Sequence, residues 1–372
     1  MSGTVELDAF RKFFLDDIEK AYPEIERTDI LPEELHRRAA EVGCYRLTMP
    51  VEYGGYGMGI MDYLPYLEAA AEGPGIGRML VHLTNGTWQP LQMFGNEVQR
   101  AVIPKIATGE AIVAFCLTEK TGGTGRDLKS RAIRDGDTWR ISGEKHLITF
   151  GDRATHFILV AASDTKGAKD SLTAFLVKRD IPGFEIDASQ HTMGMHGTGH
   201  AFLRYENMEV SDEYRLGEVG QGLEVALSFL DFSRVSLSIC MVGLAQRALD
   251  EAVAFARNRV TFGRPISTRQ AIQGHIANMH SEIEAGRHLV EHAARICEDS
   301  GDYTAAAANA KLFCLNMVGR VTDLSLRVHG GFGYTKQAAI ERIYRDARGF
   351  WFEEGTAEIQ ELVVARHVLA EN

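Results

Sequence analysis

The spacing of hydrophobic residues changes twice along the chain. Residues 1 to 112 alternate short stretches of helical periodicity with loops, and one predicted helix begins at Pro32 and ends at Gly43. Residues 113 to 213 contain strand-like runs such as THFILVAA, separated by turn residues. From residue 214 onward, apolar residues recur at helical spacing in long segments. The pattern therefore divides the chain into three regions.

We predict a mainly α fold with a central β domain. Its parts are an N-terminal α-helical domain (1–112), a middle β-barrel (113–213) and a C-terminal four-helix bundle (214–372). Residues 223 to 260 lack proline and predict one continuous helix of roughly 55 Å. Three comparable segments follow, near 270–299, 303–329 and 338–369, the last interrupted by Gly349 and Gly355. Long amphipathic helices of similar length pack best as an antiparallel bundle.

Composition and charge narrow the range of partners. The chain has 51 acidic and 40 basic residues and no basic block, so nucleic acid is not an expected partner. Five scattered cysteines without a CxxC pair are typical of reduced thiols in a cytoplasmic protein. The longest apolar run is too short to cross a bilayer, so we expect no membrane insertion. His191, His196 and His200 lack a carboxylate at metal spacing, so we expect no metal site.

Four segments carry residues suited to binding or catalysis, and each also has a purely structural interpretation. AFCLTEKTGGTGRD (114–127) could hold a phosphate or the polar edge of a ring, or be an ordinary glycine-rich turn. VHGGFGY (328–334) either permits close backbone approach or only breaks a helix. The four arginines in 257–273 indicate either a pyrophosphate contact or a solvated helix end. In FEEGT (352–356), desolvation could make one carboxylate a general base, although paired glutamates are usually solvated.

Taken in order, these segments resemble the acyl-CoA dehydrogenase family, in its short- and medium-chain-like branch with an EGT motif near the C-terminus. The motifs that carry the resemblance span over 300 residues: PVEYGG (50–55), AFCLTE (114–119), SGEKHLITFGD (142–152), TMGMHGTG (192–199), LGEVGQG, DFSR, RVTFG, HGGFGY, ERIYRDAR and EEGTAEIQ. The helix–β–helix organisation is also that of this family.

The resemblance implies FAD as cofactor and α,β-dehydrogenation of an acyl-CoA, or of an acyl-carrier thioester, to the 2,3-enoyl form. Glu354 would remove the α-proton while the β-hydride passes to the flavin. Another branch of the family carries its base at the position of Ser233. Because serine stands there in this chain, the resemblance leaves Glu354 as the candidate base. The resemblance further implies an electron-transferring flavoprotein as electron acceptor and a homodimer or homotetramer.

The same resemblance assigns roles to individual residues. Contacts to the flavin ring and its phosphates would come from Phe115, Leu117, Thr118, Thr124 and Thr149. A neighbouring subunit's FAD would be met by Arg259, Phe262, Gln270, Gly330 and Gly331, and the adenosine part by Thr356. The substrate would lie against Asp231, Arg234, Glu353 and Gly355.

Three departures from the family pattern bear on these roles. Lys120 replaces a proline in a longer glycine turn, and Leu147 replaces a tryptophan beside the flavin. Glu353 replaces the usual tyrosine before the base, which would disfavour a long plain acyl chain and suit a polar or cationic group. The alternatives are an enoyl-CoA reductase, an oxygen-using oxidase or monooxygenase, and a non-catalytic flavin- or acyl-CoA-binding subunit.

Overall fold

Helices from both ends of the chain enclose one β-sheet in the computed structural model. The structure describes residues 5–122, 127–163, 172–188, 190–228, 230–299 and 301–370. Thr124, which we expected near the cofactor phosphates, lies outside these residues.

The N-terminal region is helical up to residue 108. Its helices are α1 (Leu7–Lys12), continued by a π-helical stretch (Phe13–Ile18) into α2 (Glu19–Thr28), then α3 (Glu33–Val42), α4 (Ile60–Ala71), α5 (Gly75–Phe94), α6 (Glu97–Arg100) and α7 (Ile103–Thr108). Helix α5 is buried along most of its length. Gly77 allows this close packing, because a Cβ there would lie 2.7 Å from the Phe14 ring. Arg78 and His82, one turn apart on α5, therefore point into the protein.

The middle region forms one mixed sheet. Its strands are β1 (Val113–Cys116), β2 (Arg131–Asp135), β3 (Thr138–Ile148), β4 (His156–Ala162), β5 (Leu172–Lys178), β6 (Phe184–Asp187), β7 (Ala201–Ser211) and β8 (Arg215–Leu216). The strand order is β6-β7-β3-β2-β4-β5-β8, and β1 pairs in parallel with β4. Because β8 pairs with β5, the sheet extends slightly beyond residue 213.

The sheet curves until strands far apart in its order meet. Phe157 on β4 contacts Phe184 on β6 with ring centroids 4.9 Å apart. Trp139 on β3 contacts Phe175 on β5 at 5.3 Å. These aromatic residues fill the inside of a barrel-like sheet.

The C-terminal region consists of long helices that pack on one another. Its elements are α8 (Gly222–Leu227), α9 (Leu230–Asn258), a hairpin of β9 (Val260–Thr261) and β10 (Arg264–Pro265), α10 (Gln270–Glu298), α11 (Thr304–His329), α12 (Ala339–Gly349) and α13 (Ala357–Ala370). Helix α11 packs against α9, where the Ser325 hydroxyl donates to the Ala248 carbonyl, and against α10, where Met317 and Cys314 lie against Gly286. Together with the central sheet, this confirms the predicted fold class.

The helix predicted over residues 223 to 260 corresponds to α8 and α9, and residue 229, which lies between them, is outside the described residues. The structure has the short α8 followed by α9, whose 29 residues span about 43 Å. Gly222 lies directly against the backbone of Leu172, so α8 belongs with the sheet rather than with the bundle. At the end of α8, the Ser228 hydroxyl donates to the Val225 carbonyl.

The stretch Gly222–Asn258 is apolar and long enough to cross a membrane by composition alone. However, 71% of its most apolar window is buried inside the protein. Burial of this kind is typical of a core helix that packs against other helices.

Candidate active site

Glu354 lies in a turn between a 3-10 stretch, Phe350–Phe352, and α13. Its backbone is left-handed, with φ of 51°, and Gly355 follows with φ of 88°. A left-handed conformation costs a residue other than glycine about 1–2 kcal/mol, so the surrounding structure must hold it. The glycine after Glu354 is therefore required by the turn itself, and the turn aims the side chain inward, where it keeps 21% of its surface exposed.

Lys311 on α11 stabilises this turn through hydrogen bonds to two backbone carbonyls. Its ammonium group donates to the carbonyl of Glu353 and, at 2.7 Å, to the carbonyl of Gly355. Lys311 is fully buried, and burial lowers the pKa of its ammonium group from 10.5 to about 8, while the charges of Glu354 and Glu353 oppose that shift. One buried cation thus fixes the backbone on both sides of Glu354.

We expect Lys311→Met to reduce flavin reduction by about 10²-fold, because a 1 Å displacement of a reacting group has that effect. Stability should change by less than about 2 kcal/mol, since the lost hydrogen bonds are offset by removal of a buried charge.

Because the folded pKa of Lys311 lies below its unfolded value, the ionised group weakens folding below about pH 8, and this penalty disappears as the pH rises toward 10.5. From pH 7 to pH 10, the free energy of unfolding measured in urea should therefore rise more for the wild type than for Lys311→Met. An unchanged reduction rate would contradict the positioning role.

Glu353 has a counter-ion of its own. Arg78 on α5 binds its two carboxylate oxygens at 2.7 and 2.9 Å. Burial would raise the pKa of Glu353, but the charge and hydrogen bonds of Arg78 bring it below its ordinary value. The guanidinium also lies 4.0 Å from the centroid of the Phe350 ring. The carboxylate expected beside the acyl group is thus neutralised by Arg78, which weakens the argument for a cationic substrate group.

His82 and Ser233 complete the surroundings of Glu354. His82 Nε2 lies 3.7 Å from Glu354 Oε1 and 3.1 Å from Ser233 Oγ on α9. One residue further along α9, Arg234 forms an ion pair with Asp231, which also accepts a hydrogen bond of 2.7 Å from Thr304 Oγ1. Helices α5, α9 and α11 therefore meet around the Glu354 turn.

Leu117 and Thr118, two of the predicted flavin residues, lie in the loop after β1, next to the end of β3. The Lys145 ammonium donates to the Leu117 carbonyl at 2.9 Å and to Glu119 Oε1 at 3.0 Å. Glu119 also accepts the backbone N–H groups of Lys129 and Ser130. Burial would raise the pKa of Glu119, but the Lys145 charge and these hydrogen bonds lower it. This buried ion pair fixes the loop that presents Leu117 and Thr118.

The surface formed there suits a flavin ring. Thr118 is exposed and Leu117 half-buried. Leu147, which is 43% exposed, lies near them because the His146 N–H donates to the Thr118 carbonyl at 2.9 Å. Apolar side chains that flank accessible hydroxyls match a planar ring with apolar faces and polar edges. Phe115 instead packs partly into the core beneath the strand.

Thr149 lies beside this surface, two residues after Leu147. Its hydroxyl lies 3.5 Å from His200 Nε2. Burial lowers the pKa of His200, and the negative charge of Glu353 opposes that shift. The other two histidines of this segment, His191 and His196, lie 3.3 and 3.5 Å from Asp29.

A second group of predicted residues lies at the far end of α9. Phe262 is 95% exposed in the β9–β10 hairpin, and Arg259 and Gln270 are exposed beside it. Gly330 and Gly331 are also exposed, and the adjacent Phe332 ring stacks on Phe255, whose carbonyl accepts the Arg259 N–H. At 1.5 Å per residue, roughly 38 Å of helix separates Arg259 from Arg234. The structure therefore places this group away from Glu354.

Thr356, by contrast, lies next to the Glu354 turn. It is exposed at the start of α13, where its carbonyl accepts the N–H groups of Ile359 and Gln360. The amide of Gln360 turns back to the Gly355 carbonyl at 3.3 Å. The first turn of α13 thus supports the turn that carries Glu354.

Arg78, His82 and Lys311 did not emerge from the sequence as site residues. A signal was present in α5, where Arg78 is the single charged residue in a 20-residue apolar helix and His82 follows one turn later. Lys311 similarly interrupts a run of alanines in α11. Buried charges in apolar helices indicate a specific polar partner.

Comparison with known proteins covers all three regions. Models of the acyl-CoA dehydrogenase N-terminal, middle and C-terminal domains match residues 6–110, 114–208 and 220–369. An acyl-CoA dehydrogenase of Bacillus subtilis is 32% identical over 363 residues, which is 96% of each chain. The caffeyl-CoA reductase–Etf complex subunit CarC of Acetobacterium woodii is 31% identical and covers 93% of this chain and 92% of its own. The butyryl-CoA dehydrogenase structure from Megasphaera elsdenii has a TM-score of 0.93 at 29% identity, over 98% of this chain and 97% of that one.

These matches are collinear with the motifs and confirm the resemblance drawn from them. They extend over the helical ends and the sheet alike, so they are not limited to one domain. The chain belongs to the acyl-CoA dehydrogenase family, a family of enzymes whose members bind FAD.

Proposed function

We propose that this protein catalyses the α,β-dehydrogenation of an acyl thioester, with Glu354 as the base. The observation that carries the proposal is the turn in which Lys311 fixes the backbone on both sides of Glu354. A strained conformation held by a buried cation is typical of a residue whose side-chain direction matters for function. Thr149 follows Leu147 by two residues on the side of the surface suited to the flavin, and its hydroxyl lies 3.5 Å from His200 Nε2.

In this reaction Glu354 takes the proton from the α-carbon, and the electron pair of that C–H bond forms the new C=C bond. Bound FAD supplies the acceptor for the hydride that leaves the β-carbon. The Glu354 N–H has no acceptor within the described ranges, so it is available to the thioester oxygen, on which negative charge develops. The nearby Lys311 cation favours the same charge.

Substrate contacts follow from the same geometry. Asp231 and Arg234 lie at the end of α9 that is next to Ser233 and His82, so we assign them to the thioester and the pantetheine arm. Gly355 borders the same space. Glu353 would act on the acyl group through its ion pair with Arg78 rather than as a single negative charge.

The second group of predicted residues supports an oligomer. About 38 Å of helix separates Arg259 from Arg234, so this exposed group lies far from the substrate end of α9 in the same chain. We therefore assign Arg259, Phe262, Gln270, Gly330 and Gly331 to the FAD of a neighbouring subunit. This requires at least a homodimer and is compatible with a homotetramer.

A second candidate function is enoyl-CoA reduction, which the similarity to the subunit of the caffeyl-CoA reductase–Etf complex favours. By microscopic reversibility Glu354 would then protonate the α-carbon. An electron-transferring flavoprotein is the proposed partner in either direction. Oxygen-using chemistry and a non-catalytic subunit are less favoured, because the chain keeps both the base and the residues that hold it.

The test is to add acyl-CoAs of short, branched, aromatic and polar classes to the purified flavoprotein without oxygen, and to follow the visible flavin absorbance. Bleaching by one class is expected and would identify the acyl group. If no acyl-CoA bleaches the flavin but an enoyl-CoA reoxidises the dithionite-reduced protein, the reductase assignment holds instead. If neither occurs with FAD bound, the proposed function is wrong.

A further inference from the structure

We propose that His82 is a positioning residue that orients the carboxylate of Glu354, and this inference rests on the proposed function. The backbone of Glu354 is held by Lys311, but that contact leaves the side chain able to rotate. Among the residues that the structure describes, His82 is the one basic side chain within 4.0 Å of the carboxylate, with Nε2 at 3.7 Å from Oε1. The direction of the carboxylate therefore depends on His82.

The histidine itself is held in place. His82 is 6% exposed and lies on the buried helix α5. Its Nε2 is 3.1 Å from the Ser233 hydroxyl on α9. The ring is thus fixed between two core helices, and this allows it to act as a rigid support for a mobile carboxylate.

The hydrogen-bond pattern assigns the proton of the ring to Nε2. His82 Nδ1 is buried and meets no partner among the residues that the structure describes. An unpaired buried N–H is rarer than an unpaired acceptor, so Nδ1 is the bare nitrogen. Nε2–H then points between the Ser233 oxygen and the Glu354 carboxylate, and it attracts the carboxylate, which a bare nitrogen would repel.

A separation of 3.7 Å is too long for a hydrogen bond. Catalytic hydrogen bonds are often long before the substrate binds and shorten in the complex. We infer that substrate binding brings Glu354 Oε1 onto His82 Nε2–H. With Oε1 held, Oε2 is the oxygen presented to the α-hydrogen, and it forms the new O–H bond.

Three substitutions of His82 separate this role from packing. His82→Gln places an amide N–H near the Nε2 position, His82→Asn places one near Nδ1, and His82→Leu has no donor. Single-turnover flavin reduction should stay within about tenfold of wild type for Gln and fall about 10²-fold for Asn and Leu. The isotope effect with an α-deuterated acyl-CoA should rise in the two slow variants, because proton removal then limits the rate.

Thr84→Val provides the matched control on the same helix, since its buried hydroxyl bonds to the Leu80 carbonyl of α5 and not to the site. It should reduce its flavin at the wild-type rate. Equal rates in all His82 variants, or equal losses in Gln, Asn and Leu, would overturn the inference. If His82→Leu does not fold, the comparison of Gln with Asn decides the question. A wild-type protein that no acyl-CoA reduces would instead contradict the proposed function.

Discussion

Glu354→Gln should bind FAD normally and yet reduce it about 10²–10⁴-fold more slowly than wild type with the best acyl-CoA. Glutamine has the size of glutamate, but its amide does not accept a proton from carbon. The Lys311 hydrogen bonds go to the carbonyls of Glu353 and Gly355, so the turn should survive the substitution. Anaerobic stopped-flow absorbance of the flavin measures the rate, and the visible spectrum of the purified variant measures FAD content.

Glu361→Gln is the control, because it makes the same chemical change at an exposed position of α13. It should behave as wild type. If Glu354→Gln reduces its flavin at the wild-type rate, the base lies elsewhere. A loss of FAD from Glu354→Gln would mean that the carboxylate supports cofactor binding rather than proton transfer.

Lys145→Met should lower the free energy of unfolding by about 3–5 kcal/mol, because it leaves the Glu119 carboxylate buried without its cation. Both side chains are almost fully buried, with exposed fractions of 0% and 1%. FAD content should fall as well, since Lys145 also holds the Leu117 carbonyl at the predicted flavin surface. Urea unfolding measures the first effect and the absorbance ratio of flavin to protein the second.

Two variants check this interpretation. Arg140 lies on the same strand, but its ion pair with Asp135 is exposed, with 54% and 62% of the side chains accessible. Arg140→Met should therefore cost at most about 1 kcal/mol. Adding Glu119→Gln to Lys145→Met removes the unpaired charge and should restore part of the lost stability. A Lys145→Met protein as stable as wild type would show that the ion pair contributes little.

Hydrophobic spacing was sufficient for the long helices α10 and α11 but not for contacts between distant parts of the chain. Helices α10 and α11 begin and end within a residue or two of the predicted segments 270–299 and 303–329. The packing of α8 on the sheet was not predicted, because it depends on contact between Gly222 and Leu172, which lie in different regions of the sequence. A local pattern carries no information on such a contact.

The absence of long-range contact information in a local sequence pattern also explains which site residues were missed. Glu354 stands in a recognisable motif, whereas Arg78 is 275 positions away from the Glu353 that it binds. The sequence indicates that Arg78, His82 and Lys311 sit in apolar helices, but not which loop each of them faces. Those partners become visible only when helices α5 and α11 are packed around the turn.

The central claim is that reduction of the flavin begins with removal of the substrate α-proton by Glu354. The most direct measurement compares single-turnover flavin reduction of the wild-type protein with an acyl-CoA and with the same compound deuterated at the α-carbon. We predict slower reduction with the deuterated compound, which would show that the α-C–H bond breaks in the step that reduces the flavin. Equal rates with both compounds, when chemistry rather than binding limits the reaction, would contradict this mechanism.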